Sequence, residues 1–207
     1  MPISYKGLIV DLSHNDKITL GAFTDMKKAG IAGVILKASE GAHWQDPNYH
    51  EWVVRARSTG MLVGHYHFGT NVDSSLQFDN FVEAVGDFND DDLYVLDWES
   101  AGSTNTMTKS QAENFIGRLR TAIGRKPCIY SGEAFWNSHC DGVSPCKMWI
   151  AKYSSRKPVI AQGTVGLWQF TGDGQGPMPH SCPGVKGNAV DLSRYMGKMP
   201  IKEWWCA

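Results

Sequence analysis

The feature that most constrains this chain is a series of eight short apolar or alternating runs along its 207 residues. Each run has the length of a β-strand, and most are rich in Val, Ile, Tyr, Phe or Trp, which favour strands. We therefore predict eight strands, which begin near Gly7, Gly33, Met61, Leu93, Pro127, Lys147, Val165 and Ala189.

Helical signals lie between the first five of these strands. Residues 45–60 carry Asp46 as an expected N-cap, Pro47 at the first helical position and Gly60 just past the end. Residues 108–124 open with a Thr108 to Gln111 capping box, carry an apolar face and stop at a glycine. Weaker signals of the same kind lie at 19–30 and 73–86.

The order of these elements predicts the fold class. Alternating strands and helices favour βα units around a parallel sheet. After the fifth strand, the connections are rich in Gly, Pro and Ser and lack helical periodicity. We therefore expect an α/β fold, an irregular (β/α)8 TIM-like barrel with eight strands and a reduced number of helices, about four.

Composition excludes several classes of partner. A net charge of -1 gives no basic excess for nucleic acid or an anionic membrane surface, and no window approaches ~18 uninterrupted apolar residues. The first apolar run is interrupted by Asp11 before it reaches the length of a signal peptide. We expect one domain, residues 1–207, synthesised in the cytoplasm.

The five cysteines lack metal-type spacing and are expected to be mostly structural thiols.

The stretch YVLDWES places two carboxylates at the end of an apolar strand. Alternate side chains of a strand face the same side, so Asp97 and Glu99 point together while Tyr94, Leu96 and Trp98 point away. In a barrel, the two acids would face the axis at the C-terminal rim, where barrel enzymes keep their active sites.

A second pattern brings two further carboxylates to the same place. VDLS occurs in both the first and the last predicted strand, and these strands are neighbours in a closed barrel. With the flanking valines and leucines in the outer layer, Asp11 and Asp191 would face inward at the same mouth.

Several poorly solvated carboxylates raise one another's pKa, so that one can remain protonated near neutral pH. Such a group is a general acid, and an ionised neighbour can stabilise positive charge, which is the pair that glycoside hydrolysis requires. The alternatives are helix capping, salt bridges to Lys or Arg, and binding of a cation such as calcium.

At this point the chain resembles a known family over nearly its entire length. The landmarks, in family order, are GLIVDLSHND, GVILKASEGAHWQDPNY, VGHYHFG, YVLDWES, CIYSGEAFW, MWIAKYS, LWQFTGDG and AVDLSRYMG. They resemble the glycoside hydrolase family 25 lysozymes, the Chalaropsis-type muramidases, some of which are phage endolysins.

The resemblance implies cleavage of the β-1,4 bond between N-acetylmuramic acid and N-acetylglucosamine in peptidoglycan. It implies that Glu99 is the general acid and that Asp97 supports the anomeric centre, through the substrate's own acetamido group or directly as the nucleophile. It places Asp11 and Asp191 as auxiliary acids of the groove. It also implies action on the cell wall after holin-type release or dedicated secretion.

Sugars present apolar faces and hydroxyl edges, so a glycan groove needs aromatic platforms and hydrogen-bonding groups. Candidates near strand ends are Tyr66, Tyr130, Trp149, Trp168 and Gln169, although a core role is equally open for each.

Lys37 is a further candidate for binding substrate, and it is also expected to form an ion pair with Glu40. His65 and His67 share a face but lack a third ligand pattern, so we expect hydrogen-bonded roles, with no metal and no cofactor. The Trp pair in KEWWCA is expected to pack onto the fold.

Two other functions stay open from the sequence. A DxE pair also serves chitinase-like enzymes and endo-N-acetylglucosaminidases, and a barrel can bind glycans without turnover. The expected partner is the peptidoglycan glycan strand, and the expected oligomeric state is a monomer.

Overall fold

The computed structural model describes residues 4–207. Over that range, it contains eleven strands and six helices. The strands are β1 (Leu8–Leu12), β2 (Lys17–Ile18), β3 (Gly33–Glu40), β4 (Trp44–Gln45), β5 (Leu62–Phe68), β6 (Leu93–Asp97), β7 (Cys128–Gly132), β8 (Lys147–Ala151), β9 (Val165–Thr171), β10 (Val185–Lys186) and β11 (Asp191–Tyr195). The helices are α1 (Ala22–Ala29), α2 (Tyr49–Ser58), α3 (Ser74–Val85), α4 (Lys109–Ile123), α5 (Glu133–His139) and α6 (Ile201–Cys206).

The eight longer strands close into a barrel, as the sequence predicted. Their order is β1-β11-β9-β8-β7-β6-β5-β3, and pairing of β3 with β1 closes the ring. The fold is therefore an irregular TIM-like barrel. The short β4 pairs only with β3, and β2 pairs with β10 outside the barrel.

One strand departs from the predicted parallel sheet. β11 runs antiparallel to both of its neighbours, β1 and β9, whereas the other barrel strands are parallel. β9 ends at the C-terminal rim, and residues 172–190 form no helix that would carry the chain to the opposite end. β11 therefore begins at the C-terminal rim and descends from it.

The alternation predicted for the barrel strands is present. Val95, Ile9, Ile35 and Leu167 pack together inside the barrel. The outward set packs under the helices; it includes Val10, Leu12, Tyr94, Leu96, Trp98, Val190 and Leu192. The sequence pattern thus identified the two faces of these strands.

The end of the chain closes the barrel from below. Trp205 of α6 is fully buried with the inner cluster, and its indole N–H donates to the backbone carbonyl of Val63 at 2.9 Å. The expectation that the tryptophan pair packs onto the fold is confirmed for Trp205, and Trp204 is partly buried beside it.

Three details of the helices differ from the prediction. Helices α5 and α6 were not predicted because seven and six residues are too few to show a helical period. Helix α2 begins at Tyr49 with Asn48 at the cap, not at Asp46. The Asp46 carboxylate instead accepts the backbone N–H groups of Asn48 and His14, so it organises the turn before the helix.

The capping box of α4 is present, with Thr108 and Gln111 bonded reciprocally. His65 and His67 are both buried in the outer layer, where they hydrogen-bond to Tyr49, Asp92, Ser39 and Gln77. No helix in the described part of the chain is long and apolar enough to cross a membrane.

Candidate active site

The carboxylates singled out from the sequence meet at one end of the barrel. Asp97 is the last residue of β6, and its Cα neighbours across the sheet are Phe68 of β5 and Tyr130 of β7. Asp11 is paired directly with Asp191 across β1 and β11. Because β11 is antiparallel, its first residue lies at the rim that the parallel strands reach with their last residues.

A polar cleft of about 270 Å³ opens at this rim. It contains all four predicted acids and five of the six predicted sugar-binding residues. Its lining is Asp11, Ser13, Asn15, Lys37, Tyr66, Phe68, Asp97, Glu99, Tyr130, Trp149, Tyr153, Gln169, Asp173 and Asp191.

Trp168 is the predicted residue that the cleft does not contain. It is buried in the outer layer against Phe170, and its indole N–H donates to the Lys152 carbonyl at 2.9 Å. Since Gln169 faces inward, its neighbour on the strand must face outward. The sugar-binding expectation for Trp168 is therefore corrected to a packing role.

Gln169 connects three side chains of the cleft. Its carbonyl oxygen accepts the hydroxyl of Tyr130 at 2.7 Å and that of Tyr153 at 3.3 Å. Its amide nitrogen donates to Asp11 Oδ2 at 2.9 Å. This chain of hydrogen bonds fixes the position of one Asp11 oxygen at the floor of the cleft.

Two other carboxylate oxygens in the cleft have no partner. Asp11 Oδ1 and Asp97 Oδ1 are buried and make no hydrogen bond within the described structure. Burial raises the pKa of both groups well above the usual range; the charge of Asp191 adds to this for Asp11, and that of Glu99 for Asp97. Both side chains therefore favour a proton or a hydrogen-bond donor from a ligand.

Glu99 lies nearer the mouth than Asp97 and is only half-buried. Burial is the largest cause of its raised pKa, and the negative charge of Asp173 is the next. The Lys37 ammonium opposes both effects. Glu99 is thus an acid that keeps its proton to a higher pH than a free glutamate does.

Lys37 is the cation of the cleft. It is buried, forms the expected ion pair with Glu40 at 2.7 Å, and lies over the rings of Trp44 and Phe68. Its charge also lowers the pKa of Asp97. Lys37 therefore limits how far the acid pair is driven toward its neutral form.

Asp173 is an acid of the site that the sequence reading missed. It lies in the loop after β9 with φ of 51°, and its backbone N–H donates to Asp191 Oδ1 at 3.2 Å. Burial and then the Asp173 charge raise the pKa of Asp191 to about 7. The TGDG stretch was visible as a turn, but nothing in it indicated that the loop folds back over the cleft.

The other unpredicted lining residues follow a simpler rule. Ser13 and Asn15 come just after β1, Tyr153 comes just after β8, and Phe68 ends β5. Residues at the C-terminal ends of barrel strands are the usual source of active-site groups. That rule, applied to every strand, would have found them.

No group of three or more His, Cys, Asp or Glu within residues 4–207 has a geometry that could hold a metal ion. The raised pKa values of the carboxyl groups at this rim suit them to acid–base chemistry.

A TIM-like barrel with paired carboxyl groups at the C-terminal rim is an arrangement that suits glycoside hydrolysis. Comparison with known proteins gives the family. Residues 10–178 match the family model described as "Glycosyl hydrolases family 25", and the chain belongs to that family. It is a glycoside hydrolase of the lysozyme type.

This chain is similar to known proteins in both sequence and fold. Lysozyme M1 of Streptomyces globisporus is 26% identical over 84% of this chain and 63% of its own length. The uncharacterized protein YegX of Escherichia coli K12 is 29% identical over 95% of this chain and 72% of its length. The muramidase of Trichobolus zukalii superposes with a TM-score of 0.74 at 26% identity, covering 93% of this chain and 94% of that one.

Proposed function

We propose that this protein is an N-acetylmuramidase that hydrolyses the β-1,4 bond between N-acetylmuramic acid and N-acetylglucosamine in peptidoglycan. The observation that carries the proposal is the position of Glu99 beside Asp97 in an acid-lined cleft. In this chemistry, one carboxyl protonates the leaving oxygen and the other stabilises an oxocarbenium-like centre. Membership of a family that contains lysozymes supports the same substrate.

Glu99 is the general acid in this proposal, and its carboxylate then activates water as the base. It is the member of the pair nearer the mouth, so it is the one that a glycosidic oxygen in the cleft can approach. Burial and the Asp173 charge raise its pKa, so it keeps the proton that it donates to a higher pH than a free glutamate does.

Asp97 is the stabilising carboxylate. In the free protein, its pKa is raised well above the usual range, so the pair shares a proton that Asp97 competes for. An acetamido N–H of the substrate would supply the partner that Asp97 Oδ1 lacks. A donor to the ionised form lowers its pKa, so substrate binding would move the shared proton to Glu99.

Asp11 and Asp191 are auxiliary acids that hold sugar hydroxyls or water and add negative charge around the pair. Asp11 is oriented by Gln169, and Asp191 by the backbone N–H of Asp173. Each keeps a second carboxylate oxygen that can accept a hydrogen bond from a ligand.

The aromatic residues of the cleft contribute their rings more than their polar atoms. The Tyr130 hydroxyl is already donated to Gln169, and the Trp149 indole N–H to Ser193 at 2.8 Å. We propose that Tyr66, Tyr130 and Trp149 present apolar surface to a pyranose. Lys37 would interact with an oxygen-rich edge of the sugar.

A digest of purified peptidoglycan tests linkage and residue role together. Mass spectrometry should find reducing-end muramic acid; reducing-end glucosamine would assign the protein to the endo-N-acetylglucosaminidases. Glu99→Gln keeps the shape but removes the proton, so turnover should fall by ~10² or more. Glu113→Gln is the matched control, because Glu113 lies on α4 outside the cleft and pairs only loosely with Lys109, at 3.9 Å.

We further propose that residues 1–207 form one catalytic domain that works as a monomer on the cell wall after holin-type release or dedicated secretion. Light scattering during gel filtration tests the oligomeric state: a mass near 22.9 kDa is expected, and twice that mass would contradict it.

A further inference from the structure

A second cavity lies at the end of the barrel opposite the catalytic cleft. We name it the basal groove; its lining is Arg125, Lys126, Pro145, Cys146, Lys147, Gly163 to Gly166, Tyr195, Gly197 to Met199, Trp204 and Ala207. Lys147 and Val165 are the first residues of β8 and β9, and Tyr195 is the last residue of the antiparallel β11. With about 930 Å³, the basal groove is larger than the catalytic cleft.

The charged side chains that line the basal groove are all cations. They are Arg125, Lys126, Lys147 and Lys198, with no Asp or Glu side chain among the residues described. A smaller cavity of about 480 Å³ shares Arg125 and Lys126 with it and adds Arg120. None of these five cations lies within salt-bridge distance of a carboxylate in residues 4–207.

Lys147 shows that part of this charge is built into the fold. The side chain is only 8% exposed, and its ammonium donates to the backbone carbonyl of Trp205 at 3.0 Å. Burial, with Arg125 and Lys126 nearby, lowers the pKa of Lys147 to about 8, while the thiols of Cys128 and Cys206 act in the opposite direction. A buried ammonium without a counter-ion is costly unless a ligand offsets it.

Polar atoms without partners accompany these cations. Arg125 Nε and Tyr195 Oη are buried and make no hydrogen bond in the described structure. The guanidinium of Arg125 is otherwise bound by the carbonyls of Asn89, Asp92 and Cys206, none of which neutralises it. Both orphan groups can donate to an oxygen anion.

The groove also offers an apolar platform. The rings of Tyr195 and Trp204 lie 5.6 Å apart, and Gly166 is needed beneath them because a Cβ there would lie 2.2 Å from the Trp204 ring. Two acids stand at the margin: Glu203 acts on Tyr195, and Asp91 is paired with Lys202 at 3.4 Å. Neither faces Lys147 closely enough to affect its pKa.

We propose that the basal groove binds a chain of phosphodiester-linked polyol or sugar units. Phosphate groups match the row of unpaired cations, with Arg suited to two-pronged contact and Lys to a point charge. The aromatic platform matches the apolar faces of the units between the phosphates. The adjoining cavity that contains Arg120 allows more than one repeat to bind.

The test is calorimetry and NMR with a synthetic glycerol phosphate oligomer, alongside inorganic phosphate and neutral glycerol. We expect the oligomer to bind more tightly than inorganic phosphate, with an affinity that falls as salt increases, and glycerol not to bind. Binding should raise the pKa of Lys147 above 8 in nitrogen-detected titration of its ammonium. Equal affinity for phosphate and oligomer, or an unchanged Lys147 pKa, would overturn the proposal.

Two double variants that change the net charge by the same amount locate the site. Lys126→Gln with Lys198→Gln should weaken oligomer binding by roughly tenfold, since both side chains are exposed at the groove and form no hydrogen bond or salt bridge within residues 4–207. Lys28→Gln with Lys186→Gln, exposed outside the groove, should bind normally. Equal binding by the two double variants would refute the site. Hydrolysis of peptidoglycan should be normal in both, so the outcome is independent of the proposed catalytic residues.

Discussion

Gly172→Ala is the most direct test of how closely the catalytic cleft is packed. An added Cβ would lie 2.6 Å from the Tyr153 hydroxyl and 2.7 Å from Asp191 Oδ1, whereas ordinary contact begins near 3.4 Å. Two side chains of the site must therefore move by about 0.7 to 0.8 Å. A misplacement of about 1 Å can cost ~10²-fold in rate, so we expect kcat to fall by about 10- to 100-fold.

The stability of this variant should change little. The atoms that must move are the far ends of side chains at a cleft, and Gly172 does not have a positive φ that would strain an alanine. The assay is release of reducing sugars from purified peptidoglycan together with thermal unfolding. Gly117→Ala is the control, since nothing lies within 4 Å of its Cβ and alanine favours the α4 interior. Wild-type kcat in a folded Gly172→Ala variant would refute the argument that the loop seats Asp191 and Tyr153.

Three other perturbations separate charge, pH and packing. Asp173→Asn keeps a residue that tolerates positive φ but removes a charge that raises the pKa of Glu99. The alkaline limb of the pH–rate profile should therefore move to lower pH, and a limb that stays in place would contradict this. Folding raises the pKa of Asp191 from its ordinary value of 3.8 to about 7. The stability that this shift contributes is therefore fully present below pH 3.8 and is lost as the pH rises through 7. Asp191→Asn should therefore raise the melting temperature at pH 8 and not at pH 4; an equal effect at both would exclude the ionisation as the cause. Trp205→Ala should lower the free energy of unfolding by about 3–5 kcal/mol, which for a chain of this size is a loss of roughly 6–20 °C in melting temperature. A loss under 3 °C would show that the Trp205 side chain, which plugs the lower end of the barrel, is not needed for stability.

The strands and their faces were readable from the sequence because each depends on local pattern. Alternation over a few residues decides which side chains face the axis, and it correctly separated Asp97 and Glu99 from Trp98. The same alternation, applied to Trp168 and Gln169, excludes Trp168 from the cleft. Whether the acids act in catalysis is a prediction that the digest and the variants will decide.

The direction of β11 and the position of Asp173 could not be read in this way. Both depend on how residues 172–190 cross the rim, and that segment is rich in turns without a period. The repeated VDLS predicts two inward-facing acids at the same mouth, but it does not predict that Asp191 begins its strand while Asp11 lies near the end of its own. The two meet because the last strand is reversed, which no local propensity specifies.

The barrel interior explains how the fold tolerates its acids. The lower part of the interior is an apolar layer closed by Trp205, and the carboxylates occupy only the layer above it. The free energy lost by burying Asp11 and Asp97 is offset by packing that does not touch them, so the two contributions can be changed separately. Neutralising Asp191 should stabilise the protein above pH 7 while lowering its activity, and Trp205→Ala should lower the stability while leaving the activity unchanged at temperatures where the fold survives. Parallel changes in activity and stability across both variants would mean that the acid layer and the apolar layer are one cooperative unit.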